Sequence, residues 1–145
     1  MGPQLSRGIR VIRFVWIAGF VVGTTTHVAD LVLGGADVYA GYPAGARVFW
    51  VTLTLLDPIA VVCLLRRLRA GIVLGVLIML ADVTINLTVA ATVGGFGVFG
   101  LVTQSVFCVF VLATALPLWR AFSTPTRAAP PTAPDRTTPP PGRPT

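Results

Sequence analysis

The sequence contains no lysine, no glutamate and a single histidine, and charged residues occupy only 11% of its 145 positions. Because a soluble domain carries about a quarter charged residues, this scarcity excludes an ordinary soluble fold. Hydrophobic residues make up 54% of the chain instead. Such a composition is typical of proteins whose main solvent is lipid.

The charges that are present are unbalanced, since eleven arginines and five aspartates give a net charge of +6. Clustered basic side chains neutralise nucleic-acid phosphates and would suggest a DNA or RNA partner. Here the arginines flank apolar runs and form no single patch, so we expect no nucleic-acid partner. The absence of lysine and glutamate, together with abundant Ala, Gly, Val and Pro, indicates GC-rich codons and suggests a bacterial source.

Cysteine is also scarce. Cys63 and Cys108 both lie in apolar runs, without a second Cys or a His at metal-ligand spacing. This pattern argues against a disulfide framework and against a zinc site, and we interpret both residues as small packing residues. No motif predicts a cofactor, and we expect none.

Four apolar stretches have the length of membrane-spanning helices, since about 20 helical residues cross the ~30 Å hydrocarbon core of a bilayer. They cover residues 14–33, 49–65, 72–92 and 98–119. Short connections predict antiparallel neighbouring helices, and the runs lack the alternation of a membrane β-barrel. The predicted fold is an all-α integral membrane protein, a four-transmembrane-helix bundle within residues 1–122.

Arginine is distributed unequally between the two ends of this predicted bundle. Ten arginines lie before the first span, between the second and third, and after the fourth: Arg7, Arg10, Arg13, Arg66, Arg67, Arg69, Arg120, Arg127, Arg136 and Arg143. Those segments share one side of a four-span protein, and the other side has only Arg47. The positive-inside rule therefore predicts a multi-pass plasma-membrane protein with both termini in the cytoplasm. Trp50 and Trp119 lie near span ends, where indole rings favour the membrane interface.

Residues 123–145 form a segment of a different kind, with eight prolines among Thr, Ala and Arg and almost no large apolar side chain. Such a segment buries too little apolar surface to offset its chain entropy. We predict a disordered, partly extended cytoplasmic tail.

Three of the five aspartates, Asp30, Asp57 and Asp82, fall inside the predicted spans. An Asp at the centre of a membrane helix costs ~2.5 to 3.5 kcal/mol on the insertion scale, so it usually faces the bundle interior or water and marks a functional site. At the helical rise per residue, Asp57 and Asp82 lie roughly 14 to 17 Å from the flanking arginines, near the membrane midplane. Asp30 lies nearer the outer interface.

Further polar residues share helix faces with these aspartates. His27 is three positions before Asp30, Asn86 is four after Asp82, and Gln104 is about a third of the way into the fourth span from its outer end. Additional hydroxyls come from Thr24, Thr25, Thr26, Thr52 and Thr54. We predict a polar pocket in the outer half of the bundle, with Asp57 and Asp82 at its floor. The candidate binding or proton-handling residues are His27, Asp30, Asp57, Asp82, Asn86 and Gln104.

The apolar spans contain no Arg or Lys that could pair with Asp57 and Asp82. Burial and mutual repulsion favour the neutral form of a carboxyl group, so we expect at least one of the two to hold a proton if they lie close together. His27 is a candidate proton partner, or a cationic partner for Asp30.

Two glycine pairs, Gly19/Gly23 and Gly71/Gly75, have the GxxxG spacing that allows membrane helices to approach closely. They are the candidate helix-packing residues. Their small-residue faces also offer a surface for a homo-oligomer within the lipid bilayer.

Four interpretations of the polar residues stay open. They could be structural, with Asp82 and Asn86 bonded to neighbouring helices and Asp57 bonded to a hydroxyl or to backbone freed by Pro58. They could form a binding or transport site for a small molecule, a cation or a proton.

The remaining two interpretations have less support. A membrane-embedded enzyme on a lipid-like substrate would use Asp57 or Asp82 with His27 as acid and base, but no nucleophile motif accompanies them. A site built from His27, Asp30, Asp57 and Asp82 would suit Mn, Mg or Ca, but it matches no recognised ligand motif, and we expect no resident metal.

Overall fold

In a computed structural model, which describes residues 5–35, 37–95 and 97–123, the chain folds into four α-helices. They are α1 (Arg7–Gly34), α2 (Ala44–Leu65), α3 (Arg69–Thr92) and α4 (Val98–Phe122). Each is long and apolar enough to cross a membrane, so the prediction of four apolar helices is confirmed. The predicted tail lies outside the described residues from position 124 onward.

Two helices begin well before the apolar runs that predicted them. α1 starts at Arg7, where the side chain of Ser6 accepts a hydrogen bond from the backbone N–H of Ile9 at 3.4 Å. α2 starts at Ala44, directly after Pro43 at its N-cap. Hydropathy locates only the apolar part of a helix, whereas backbone hydrogen bonding continues into polar sequence until a cap residue ends it.

The helices form a closed ring in which α1 packs against α2 and α4, and α3 packs against α2 and α4. This is the up-down-up-down arrangement of a four-helix bundle. α1 and α3 begin at one end of the bundle, where α2 and α4 finish. We call this the Arg-rich end, because it carries Arg7, Arg10, Arg13, Arg66, Arg67, Arg69 and Arg120. The opposite, Arg-poor end carries the loop between α1 and α2.

Apolar packing dominates the half of the bundle near the Arg-rich end. Trp16 is fully buried, and its indole N–H donates to the hydroxyl of Thr114 on α4 at 2.9 Å. At the surface of this end, the guanidinium of Arg69 lies 4.8 Å from the ring centroid of Trp119. Outward-facing side chains such as Phe14 and Leu116 are apolar and exposed, which suits a surface covered by acyl chains.

All four glycines singled out in the sequence make close helix contacts within the chain, that of Gly23 being with Asp57. A Cβ added to Gly71 would lie 2.7 Å from Cβ of Cys63 and 2.9 Å from the backbone nitrogen of Leu64. A Cβ on Gly75 would lie 2.9 Å from the ring of Trp16, and one on Gly19 would overlap the ring of Phe107. Since these contacts use the small-residue faces internally, a homo-oligomer stays a prediction and would need another face.

Gly71→Ala is expected to destabilise the protein, because its new methyl group meets the backbone of α2, which cannot rotate away. Overpacking of this kind costs about 1–3 kcal/mol, to be measured as a lower melting temperature in detergent. Gly100→Ala is the matched control, since a Cβ there meets nothing within 4 Å. Equal melting temperatures for the two variants would contradict the close α2–α3 crossing.

Candidate functional site

Trp50, Asn86 and Gln104 lie at one depth in the bundle. Each is six positions from the end of its helix at the Arg-poor end: 44 to 50 in α2, 86 to 92 in α3 and 98 to 104 in α4. At 1.5 Å per residue this is about 9 Å. Three polar side chains from three helices therefore meet in one layer.

Asn86 is the centre of that layer. Its Oδ1 accepts a hydrogen bond from Nε1 of Trp50 at 2.9 Å, and its Nδ2 donates to Oε1 of Gln104 at 2.7 Å and to Oδ1 of Asp82 at 3.0 Å. The residue is 1% exposed. A primary amide has two N–H donors and one carbonyl acceptor, and all three are used here. Asn86 thus links α2, α3 and α4.

Asp82 lies one turn deeper than Asn86 on the same helix and is 5% exposed. Besides the hydrogen bond from Asn86, it is close enough to interact electrostatically with the thiol of Cys108 on α4 and with the carboxyl group of Asp57 on α2. Two carboxyl groups from neighbouring helices therefore share one buried region.

Asp57 is the least satisfied polar residue in the described part of the chain. It is 3% exposed, and its Oδ1 is buried without a hydrogen-bond partner among residues 5–35, 37–95 and 97–123. Its Oδ2 lies against α1, only 2.7 Å from where a Cβ on Gly23 would be. Gly23 thus provides the space that this carboxyl group occupies.

No basic side chain belongs to the parts of the four helices that surround these carboxyl groups. Residues 14–26, 48–65, 70–92 and 98–119 contain no Lys, Arg or His, and His27 lies one turn beyond Gly23 in α1, where its ring is near Tyr39. A buried carboxylate without a counter-charge costs several kcal/mol. The Asp57–Asp82 pair therefore needs a proton or another cation to neutralise it.

A second polar group lies nearer the Arg-poor end. The hydroxyl of Tyr39 donates to Oδ2 of Asp30 at 2.9 Å, and Nδ1 of His27 lies 3.5 Å from the same hydroxyl. Asp30 is exposed, while His27 and Tyr39 are partly buried. Tyr39 belongs to the loop between α1 and α2, so this group fastens the loop to the end of α1.

Aromatic rings connect the two groups. The ring of Tyr39 packs against that of Trp50 with centroids 5.0 Å apart, and Tyr42 packs edge-on against Trp50 at 5.1 Å. The loop thus covers the polar layer, since Trp50 also donates to Asn86. Tyr39 was not among the candidate residues predicted from the sequence. No signal in the sequence places this loop residue over Trp50.

The structure brings together Asp57, Asp82, Asn86 and Gln104, and it places His27 and Asp30 in the separate group around Tyr39. The binding or proton-handling role assigned to all six stays a prediction. In the described residues, no group of three or more His, Cys, Asp or Glu side chains is placed to hold a metal ion. The hypothetical four-residue metal site is therefore not assembled.

Three expectations from the sequence were wrong. Trp50 is not an interfacial residue, because it is only 3% exposed and faces Asn86. The polar region is closed by side-chain packing and is not an open pocket, since Asp57, Asp82 and Asn86 are all buried. The threonines do not join it, because each donates to a carbonyl of its own helix: Thr24, Thr25, Thr26, Thr52 and Thr54.

The chain matches no protein-family model, no curated protein and no solved structure. Its function has to be inferred from these side chains.

Asn86→Ala is expected to destabilise the bundle, because it removes the acceptor for Trp50 and the donor to Asp82 and Gln104 together. Leaving buried polar groups without partners costs about 1–3 kcal/mol. Thr88→Ala, two positions along α3, is the control, since Thr88 is exposed and bonds only its own helix. Chemical unfolding in detergent measures both, and equal stabilities would contradict the linking role of Asn86.

Stability is expected to fall at alkaline pH through Tyr39. Partial burial, the hydrogen bond to Asp30 and the charge of Asp30 all raise the pKa of Tyr39 above its usual value. Above about pH 10, the unfolded chain releases this phenol proton before the folded protein does, so the free energy of unfolding decreases as pH rises.

Tyr39→Phe should therefore lose less stability than wild type between about pH 8 and about pH 11, measured by thermal unfolding. Tyr42→Phe keeps the bond between Tyr39 and Asp30 and should follow wild type. The same alkaline loss in wild type and Tyr39→Phe would contradict this assignment.

Proposed function

We propose that the protein is a multi-pass membrane protein that carries protons across the membrane by reversible binding at the Asp57–Asp82 pair, with entry from the outer side. The observation that carries the proposal is Oδ1 of Asp57, a buried carboxyl oxygen without a hydrogen-bond partner among the described residues. A group so placed is not used by the fold and is free for a ligand.

The four apolar helices support a membrane location. The distribution of arginine supports an orientation with the Arg-rich end and both termini in the cytoplasm of a bacterial cell. In that orientation, the layer of Trp50, Asn86 and Gln104 lies in the outer half of the membrane and the two aspartates lie close to its middle. A proton from outside would pass that layer before it reaches Asp57.

The burial of the pair favours a proton over a larger ligand. Asp57 and Asp82 are 3% and 5% exposed, and a proton needs no cavity. A small metal cation is the second candidate, since two carboxyl groups and the oxygen of Gln104 lie in the same region. A lipid-like substrate, as an enzyme would require, has no access to either carboxyl group in this closed arrangement.

A purely structural role explains only part of the cluster. It accounts for Asn86 and Gln104, whose hydrogen bonds join helices. It does not account for Asp57, because Oδ1 bonds neither a hydroxyl nor a backbone group. An unpaired buried carboxyl group destabilises a fold, so its presence favours a function that needs it.

Asp57→Asn is expected to abolish proton exchange while the protein still assembles, because an amide cannot take up and release a proton at this position. Proton flux would be measured with a pH-sensitive dye inside proteoliposomes under an imposed pH gradient. We expect wild-type flux to exceed that of protein-free vesicles and Asp57→Asn flux to equal it.

Asp37→Asn makes the same chemical change in the exposed loop and should retain wild-type flux. Infrared difference spectra recorded as pH varies supply a second readout, in which the signal of a carboxylic acid should disappear in Asp57→Asn. Unchanged flux and an unchanged infrared signal in Asp57→Asn would overturn the proposal. Loss of flux only when Na⁺ is omitted would replace the proton with that cation.

A further inference from the structure

A cavity of about 320 Å³ lies between the end of α1, the following loop and the first turns of α2. Its apolar walls include Leu31, Val48 and Val51, and its polar lining includes Arg47 and Tyr39. This volume is at the lower end of the range of ligand pockets. The cavity lies at the Arg-poor end and is separate from the buried carboxyl pair.

Arg47 lies at a position that is unusual for a positive charge, because of the end of the bundle at which it lies and because of its place in α2. It is the only Arg or Lys between residues 14 and 65, and thus the only one at the Arg-poor end. It also lies in the first turn of α2, where the helix dipole disfavours cations, and no acidic residue occurs in that turn. The first turn of α2 therefore contains nothing that compensates for this charge.

The side chain of Arg47 also lacks a partner. Within residues 5–35, 37–95 and 97–123 its guanidinium makes no ion pair or hydrogen bond. Asp30, which precedes the lining residue Leu31 in the sequence, instead accepts a hydrogen bond from Tyr39. An anion outside the described residues is therefore the natural partner of Arg47.

The depth of the cavity identifies the kind of anion. Arg47 is three residues into α2, about 5 Å from its start, and Val51 is four residues deeper, about 6 Å further. A ligand filling this space has its charge at the membrane interface and an apolar part in the hydrocarbon region. This is the shape of a phospholipid with an anionic headgroup.

We propose that the cavity beside Arg47 binds an anionic phospholipid of the outer leaflet, with its phosphate on the guanidinium and the start of an acyl chain against Leu31, Val48 and Val51. The proposal does not depend on proton binding at Asp57. A larger cavity along α1, of about 490 Å³, is lined by residues such as Val28 and Val32 and contains no charged group. It should accept acyl chains without preference for a headgroup.

Photo-crosslinking tests the proposal on the full chain in lipid nanodiscs. Phosphatidylglycerol and phosphatidylcholine probes carry a photoreactive group near the start of one acyl chain, and mass spectrometry locates the labelled peptides. We expect the phosphatidylglycerol probe to label the start of α2 about fivefold more than the phosphatidylcholine probe, the effect of one basic residue near a membrane surface.

Four variants assign that preference to the cavity. Arg47→Gln should reduce labelling of α2 by phosphatidylglycerol to the phosphatidylcholine level, whereas Arg47→Lys should retain the preference. Arg10→Gln, at the Arg-rich end, should leave labelling of α2 unchanged. Val51→Trp fills the cavity while keeping Arg47, and it should abolish labelling even if Arg47→Gln fails to fold.

Two results would overturn the proposal. Equal labelling of α2 by the two probes in wild type would show that the headgroup charge is not recognised. Displacement of the phosphatidylglycerol probe by soluble glycerol phosphate would show that Arg47 binds free phosphate and that the apolar walls contribute nothing. Failure of either kind leaves the proton flux of the Asp57 experiment unaffected, so the two proposals are tested separately.

Discussion

Lipid supplies no hydrogen bonds, so a polar group directed into a membrane bundle has to find its partner on another helix. Asn86 meets this constraint completely, since its amide accepts from Trp50 and donates to Gln104 and Asp82. The positions of α2, α3 and α4 at the Arg-poor end depend on these bonds, because a rotation of any one helix would leave a polar group in an apolar region. Asp57 and Asp82 are held beneath this layer as a result.

The opposite half of the bundle is stabilised in a different way. Gly71 and Gly75 allow α3 to approach Leu64 and Trp16 closely, and the hydrogen bond from Trp16 to Thr114 also joins two helices there. The bundle thus has an apolar, tightly packed half and a polar, hydrogen-bonded half. Rearrangement around the carboxyl pair is consequently easier from the polar side, where loops and side chains cover it, than through the packed glycine contacts.

The sequence was sufficient to predict the four helices and part of the polar cluster. Asp82 and Asn86 are four residues apart, and Gln104 lies at a matching depth, and both properties follow from helical geometry alone. The partners of Trp50 could not be predicted in this way, since an indole near a helix end suits the interface as well as the interior, and the choice depends on the rotation of α2. The contact between Asp57 and Gly23 depends on how far α1 slides along α2, which periodicity does not determine. Tyr39 was missed because a loop residue has no periodic pattern.

Under the proposed function, exchange of a proton between Asp57 and the outer side would require the cover over Trp50 to open. That cover consists of the rings of Tyr39 and Tyr42 and of the hydrogen bond from Tyr39 to Asp30. Aromatic pairs contribute about 0.5–1.5 kcal/mol each beyond their burial, and a hydrogen bond of this kind contributes a similar amount. The three together contribute about 1.5–4.5 kcal/mol, which is comparable with the several kcal/mol that an unneutralised buried carboxylate costs. An ionised Asp57 would therefore shift the loop toward the open form, and a protonated Asp57 would shift it toward the closed form.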